Sequence, residues 1–93
     1  YIRSAEQDFV DAQYMLGVMY YKGLGVQQSY SEAVLWYTKA SDFGRAEAQY
    51  DLGICYYYGQ GVPENKKEAL RLWKLAAVQE YEKAVEALRE FSE

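Results

Sequence analysis

The sequence predicts an all-α fold, a solenoid of stacked helical hairpins, and three observations predict it. The first is a repeat: residues 48–62 (AQYDLGICYYYGQGV) copy residues 12–26 (AQYMLGVMYYKGLGV) at an offset of 36. Carried through 12–47 against 48–83, this register holds 13 identical pairs, including Ala12/Ala48, Leu16/Leu52, Gly17/Gly53, Gly23/Gly59, Gly25/Gly61 and Ala40/Ala76. Chance would give on the order of two or three for such a composition. A fixed period of this length marks an architecture of stacked repeats. The second observation is that apolar residues recur three to four apart in both halves of each copy, the spacing of an amphipathic helix. The third is that the second half of each copy opens with a helix-capping signature at the same phase: Ser29 with Glu32, and Asn65 with Glu68.

The elements follow in order within one domain, 1–93. Residues 1–7 align with the end of a repeat's second helix (Tyr1 with Tyr37, Arg3 with Lys39) and are expected to be the tail of a preceding one. Repeat one spans 12–47. Its first helix is expected from about Asp8 to Lys22, with Phe9, Ala12, Leu16 and Tyr20 as the core stripe. Gly17 lies inside that helix and Gly53 at the same place in the next copy. A helical glycine costs ~1 kcal/mol against alanine. Its recurrence at one position implies a neighbour too close for a side chain. Gly23 suits the left-handed position just past the helix end, and Gly25 tightens the link. The capped second helix, Tyr30 to Asp42, turns Ala33, Trp36, Tyr37 and Ala40 inward, and Gly44 ends it.

Repeat two spans 48–83. Its first helix is expected from Ala46 to Tyr58 around Ala48, Leu52 and Tyr56. Gly59, Gly61 and Pro63 fill the loop ahead of the Asn65 cap, where a proline breaks no helix. The second helix starts near Lys66 and uses Ala69, Leu72, Trp73, Ala76 and Ala77. Residues 84–93 begin a third copy, with Ala84 and Leu88 in register but Arg89 in place of Gly53 and Ser92 in place of Tyr56. Glu82, Lys83, Glu86, Glu90 and Glu93 give this last helix a charged face, which suits the terminal cap of a solenoid. Glu80 replaces the turn glycine Gly44, so the last two helices could merge there.

These residues resemble the Sel-one-like repeat (SLR) family, a branch of the tetratricopeptide-like (TPR-like) helical hairpins. That family's pattern is alanine, Leu-Gly, Tyr, Gly-x-Gly-Val, then a capped helix with an alanine, an aromatic pair and a double alanine. Here it reads Ala12, Leu16-Gly17, Tyr20, Gly23-Leu-Gly25-Val26, Ala33, Trp36-Tyr37 and Ala40. The second copy reads Ala48, Leu52-Gly53, Tyr56, Gly59-Gln-Gly61-Val62, Ala69, Trp73 and Ala76-Ala77. Ser41, Leu72 and Glu80 depart from the pattern at the double-alanine, first aromatic and glycine positions. The resemblance implies a right-handed α-α superhelix acting as an adaptor or scaffold that assembles other proteins, and it implies no reaction. It also points away from secreted repeats that pair cysteines within each copy, since Cys55 stands alone.

The composition narrows the chemistry. A net charge of −4 argues against a nucleic-acid backbone or an anionic membrane as the main partner. No apolar run approaches the length of a membrane span. The chain opens at Tyr1 within a helical pattern, without initiator methionine or signal peptide, and reads as part of something longer. Cys55, the one cysteine, falls near the apolar face and is expected to be a buried small hydrophobe; a single unpaired cysteine is compatible with a cytosolic origin. Without histidine, the commonest general base and metal ligand is missing. The carboxylates Glu6, Asp8, Asp11, Glu64 and Glu68 sit among helix starts and charged surfaces, where solvation or capping accounts for them. The Gly-x-Gly pairs lack the Lys-Ser/Thr of a phosphate loop and follow a helix instead of a strand. No catalytic residue, metal site or cofactor is expected.

One pattern points to binding. With Leu16 set toward the core at 100° per residue, Tyr14, Val18 and Tyr21 fall on the opposite side of their helix. Tyr50, Ile54 and Tyr57 do the same in the second copy. Solenoids bind with extended concave surfaces, and tyrosine is large, fairly rigid and polar at its tip. These six residues are therefore a candidate strip for a partner's peptide or helix. The competing reading is that the tyrosines pack between neighbouring first helices as core. The expectation is a non-catalytic protein–protein interaction scaffold. The alternative is a structural or regulatory segment of a larger enzyme or membrane-anchored protein, stacking on further repeats of its parent chain or on a second copy.

Overall fold

The computed structural model describes the backbone of residues 2–91 and the side chains of residues 9–91. Over that span the chain forms five helices: α1 (Ile2–Lys22), α2 (Tyr30–Asp42), α3 (Ala46–Tyr58), α4 (Lys66–Val78) and α5 (Glu82–Phe91). Each packs on the next, in a slab of 41 × 33 × 16 Å. The result is a helical solenoid in which α1–α2 and α3–α4 are the two hairpins of the repeat.

The two hairpins close in the same way. Ser29 Oγ accepts the Glu32 backbone N–H at 3.2 Å, and Asn65 Oδ1 accepts that of Glu68 at 3.1 Å. Each cap satisfies a donor that a helix start leaves without an intrahelical partner. The cap residues also tie the loops down: the Ser29 N–H donates to the Tyr20 carbonyl at 2.9 Å and the Asn65 N–H to that of Tyr56 at 2.8 Å.

Within each hairpin the helices meet at a glycine. The ring of Tyr37 (2% exposed) lies on Gly17, and the indole of the fully buried Trp73 lies on Gly53. A Cβ at Gly17 would sit 2.6 Å from Tyr37 Cδ1; at Gly53 it would sit 2.5 Å from Trp73 Nε1. The close neighbour expected at both positions is thus an aromatic side chain of the partner helix. Ala33, Ala40, Ala69 and Ala76, all fully buried, let the rest of each second helix approach.

Two expectations are corrected, and the boundary left open at Glu80 is resolved. First, α1 runs unbroken from Ile2, with no boundary between residues 1–7 and a helix starting at Asp8. That stretch holds no Gly or Pro, and Ala5, Glu6 and Gln7 tolerate the helix well. Tyr1 lies outside the described residues. Second, the stripe assigned to the first helix is rotated. Phe9 is 58% exposed, Ala12 is exposed and Leu16 and Tyr20 are only half-buried, whereas Val10 and Gln13 are buried. In α3 the equivalent Ala48 and Leu52 are buried, because α2 lies against that side; α1 has no helix there among the described residues. Finally, α4 and α5 do not merge. Glu80 takes φ 64°, as Gly44 takes φ 90° in the first copy, and the chain turns without a glycine. The buried residues of α5 are Ala84 and Ala87, with Leu88 half-buried; Ser92 and Glu93 lie outside the described residues.

A non-glycine residue in the left-handed region is strained by about 1–2 kcal/mol. Glu80→Gly should therefore stabilise the chain by ~1 kcal/mol in denaturant titrations, less than the strain because glycine also loosens the unfolded state. The loop glycines differ in a second way. Gly25 and Gly61 both have positive φ, but a Cβ at Gly61 would lie 2.6 Å from the Tyr30 carbonyl, while at Gly25 its nearest neighbour would be Met19 Cε at an unstrained 4.0 Å. Gly61→Ala should cost about 1–3 kcal/mol more than Gly25→Ala in the same assay, the usual range for forcing extra atoms into a filled site.

Candidate functional site

Four of the six strip residues converge on one groove. Tyr14, Val18 and Tyr21 reach it from successive turns of α1, and Ile54 reaches it from α3. The groove has a volume of about 220 Å3. Tyr37, from α2, lines it between them, and Asp51 of α3 places a carboxylate in it. The exposed lysines Lys22 and Lys83 flank it.

The phenol tips bridge the two hairpins. Tyr14 OH donates to Asp51 Oδ2 at 2.7 Å, and Tyr21 OH donates to Gln60 Oε1 at 2.6 Å. The rings run side by side, with centroids 5.8 Å apart for Tyr14–Tyr37 and 6.2 Å for Tyr21–Tyr37. Arg45 crosses the same junction: it pairs with Asp11 of α1 and lies over the Tyr14 ring, 4.8 Å from its centroid. Burial, reinforced by the Asp51 charge, pushes the phenols of Tyr14 and Tyr37 well above their ordinary 10.0. Burial also raises the Asp51 carboxyl above 3.8, against the opposing pull of the Tyr14 hydrogen bond and of Lys83 and Lys22. Among the described residues, no cation lies within ion-pair distance of Asp51.

Tyr50 and Tyr57 lie elsewhere. Tyr57 stacks on Trp73 at 5.5 Å and meets Phe91 at 4.9 Å; Tyr50 meets Tyr81 at 5.7 Å. Tyr81, just before α5, and Phe91, at its end, pack on them. The Trp73 indole N–H donates to the Tyr50 carbonyl at 3.1 Å, which makes this half part of the second hairpin's core. Sequence reasoning missed Lys22, Tyr37, Asp51 and Lys83 as groove residues. Asp51 did leave a signal: it stands where the first copy has Met15, a charge inserted into an otherwise apolar period.

The carboxylates weighed as acid–base candidates have structural partners where their side chains are described. Asp11 pairs with Arg45, Glu68 with Arg71, and Glu64 lies 3.9 Å from Lys66; the side chains of Glu6 and Asp8 lie outside the described residues. Cys55 is fully buried and free, and burial lifts its thiol to about 12, so it is not a nucleophile near neutral pH. Gly23 and Gly59 occupy left-handed turns at the helix ends, at φ 72° and 69°. Among the described residues, no group of three metal-ligating side chains gathers, and no helix is long and apolar enough to cross a membrane.

Comparison with known proteins supports the repeat. The Sel1 repeat profile matches residues 10–42 and 46–81. Three solved structures superpose with a TM-score of 0.81. A protective antigen of uropathogenic Escherichia coli, c5321, which displays an SLR fold, is 43% identical over 88% of this chain and 18% of its own. A Sel1 repeat protein from Oxalobacter formigenes is 41% identical over 84% of this chain and 32% of its own. Helicobacter pylori cysteine rich protein B is 27% identical over 90% of this chain and 63% of its own. The chain therefore spans less than two thirds of each of these proteins. No curated protein sequence matches it.

The raised Asp51 carboxyl has a consequence for stability. Its folded value lies above its unfolded one, so its contribution is fully present below pH 3.8 and is lost as the pH rises through the folded value. Asp51→Asn keeps an acceptor for Tyr14 without the charge. Its melting temperature should exceed that of the parent at about pH 7, and the gain should shrink as the pH falls to about 4.

Proposed function

The chain belongs to the Sel1 repeat family, and from that premise we propose that it is a non-catalytic protein–protein interaction scaffold whose α1/α3 groove receives a segment of a partner protein. Repeats of this family commonly serve as interaction scaffolds. What carries the reading is the groove itself: half-buried Tyr14, Tyr21, Val18 and Ile54 surround a cleft that the chain's own side chains leave open. Aromatic rings with polar tips, held by hydrogen bonds to the next hairpin, are already ordered before a ligand arrives. Such pre-ordering lowers the entropic cost of binding. Tyr50 and Tyr57, covered from the α5 side, contribute to holding the second hairpin and not to the contact surface.

Selection of displayed random dodecapeptides on the intact chain tests this reading. Enriched peptides should shift the amide resonances of Val18, Tyr21 and Ile54, and Val18→Glu should weaken them at least about tenfold, since a charge would then face apolar surface. Enrichment of peptides that map to the outer faces of α2 and α4, or no enrichment at all, would contradict it.

A further inference from the structure

We propose that the groove takes a cationic side chain, an arginine or lysine of the partner segment, with Asp51 as its counter-ion and the rings of Tyr14, Tyr21 and Tyr37 as its walls. This rests on the reading of the groove as the binding surface and adds the chemistry of what enters it.

The first argument is the state of Asp51. One of its oxygens accepts from Tyr14, and no cation of the described residues lies within ion-pair distance. Lys22 and Lys83 line the same groove and favour the charged form of Asp51, but from beyond ion-pair distance. Burial still raises the carboxyl, so its charge costs stability at neutral pH. The first copy carries the uncharged Met15 at the equivalent position. A cation from outside would remove that penalty. The second argument is the lining. Three phenol rings stand in a row beside the carboxylate, and aromatic rings attract ammonium and guanidinium groups. The fold already seats cations on such rings twice: Arg45 over Tyr14, and Lys66 over Tyr57 at 5.2 Å. The third is room: about 220 Å3 corresponds to on the order of seven waters, enough for the end of one long side chain.

An anionic group drawn by Lys22 and Lys83 is the competing occupant. Those lysines are exposed and hydrated, whereas Asp51 is raised by burial, and a charge counts for more where water is excluded. An anion seated among the rings would also face Asp51 directly.

The test is an NMR titration of the intact chain with N-acetyl-arginine amide, N-acetyl-norleucine amide and N-acetyl-glutamate amide. The arginine compound should saturate shifts at Val18, Asp51 and Ile54 and bind roughly tenfold tighter than the norleucine compound, the size of effect expected of a charged hydrogen-bonded contact. Asp51→Asn should abolish that preference while remaining folded, and Lys22→Ala with Lys83→Ala should strengthen arginine binding. Equal binding of the arginine and norleucine compounds, or an unchanged preference in Asp51→Asn, would overturn the cation assignment and leave the groove as a binding surface. Preference for the glutamate compound would overturn it in favour of the lysines. Silence from all three would overturn it as well, and the peptide selection would then decide the reading of the groove separately.

Discussion

The contact of an aromatic ring with a bare helix backbone, Tyr37 on Gly17 and Trp73 on Gly53, sets the geometry on which the rest of this structure depends. It fixes how closely the two helices of a hairpin approach, because the missing side chain is replaced by a ring of defined thickness. Trp73 is held in that position by more than packing, since its indole N–H reaches the Tyr50 carbonyl. A glycine inside a helix is unfavourable on its own. It is retained in both copies because the ring buries itself in the space so left, and burying an aromatic side chain outweighs the propensity cost.

From that spacing follows the way the hairpins stack. Where α3 lies against α1, the phenols of Tyr14 and Tyr21 meet Asp51 and Gln60, Arg45 reaches Asp11, and the loop at Gly61 rests on the start of α2. These polar contacts rim the junction, whose interior is apolar: Ala33 and Tyr37 pack with Leu52, Cys55 and Leu72, and Val10 and Ala40 with Ala48. The groove is a product of the same junction. It is bounded by tyrosines of the first hairpin and by Asp51 and Ile54 of the second, so neither hairpin holds it alone. In a repeat protein, where each unit contacts only its neighbours, such a junction is where a surface feature can differ from one unit to the next. Met15 against Asp51 is that kind of difference.

The parts of the fold legible in the sequence are those that local chemistry decides. Ser29 and Asn65 cap helices where the Ser-x-x-Glu and Asn-x-x-Glu patterns place them, and Gly17 and Gly53 mark close approach. What could not be read depends on neighbours in space. Ala12 and Ala48 occupy the same phase in near-identical segments, yet one is exposed and the other buried, because among the described residues only α3 has a preceding helix on that side. The tyrosine strip divides for the same reason: identical spacing leaves Tyr14 and Tyr21 at an open groove but puts Tyr50 and Tyr57 under Tyr81 and Phe91. The turn at Glu80 is a third case. No glycine marks it in the sequence, which left open whether the last two helices merge, and the packing of Ala84 and Ala87 onto α4 accompanies a left-handed glutamate there.

A double-mutant cycle between Gly53→Ala and Trp73→Leu, read as unfolding free energies, tests most directly whether the ring-on-glycine contact governs the hairpin. In the parent chain, Gly53→Ala should cost about 1–3 kcal/mol despite the better helix propensity of alanine, because its methyl group meets the indole. In the Trp73→Leu background that cost should fall by more than about 1 kcal/mol, since the smaller side chain leaves room. Additivity to within about 0.5 kcal/mol would contradict the account and place the determinant of the hairpin elsewhere.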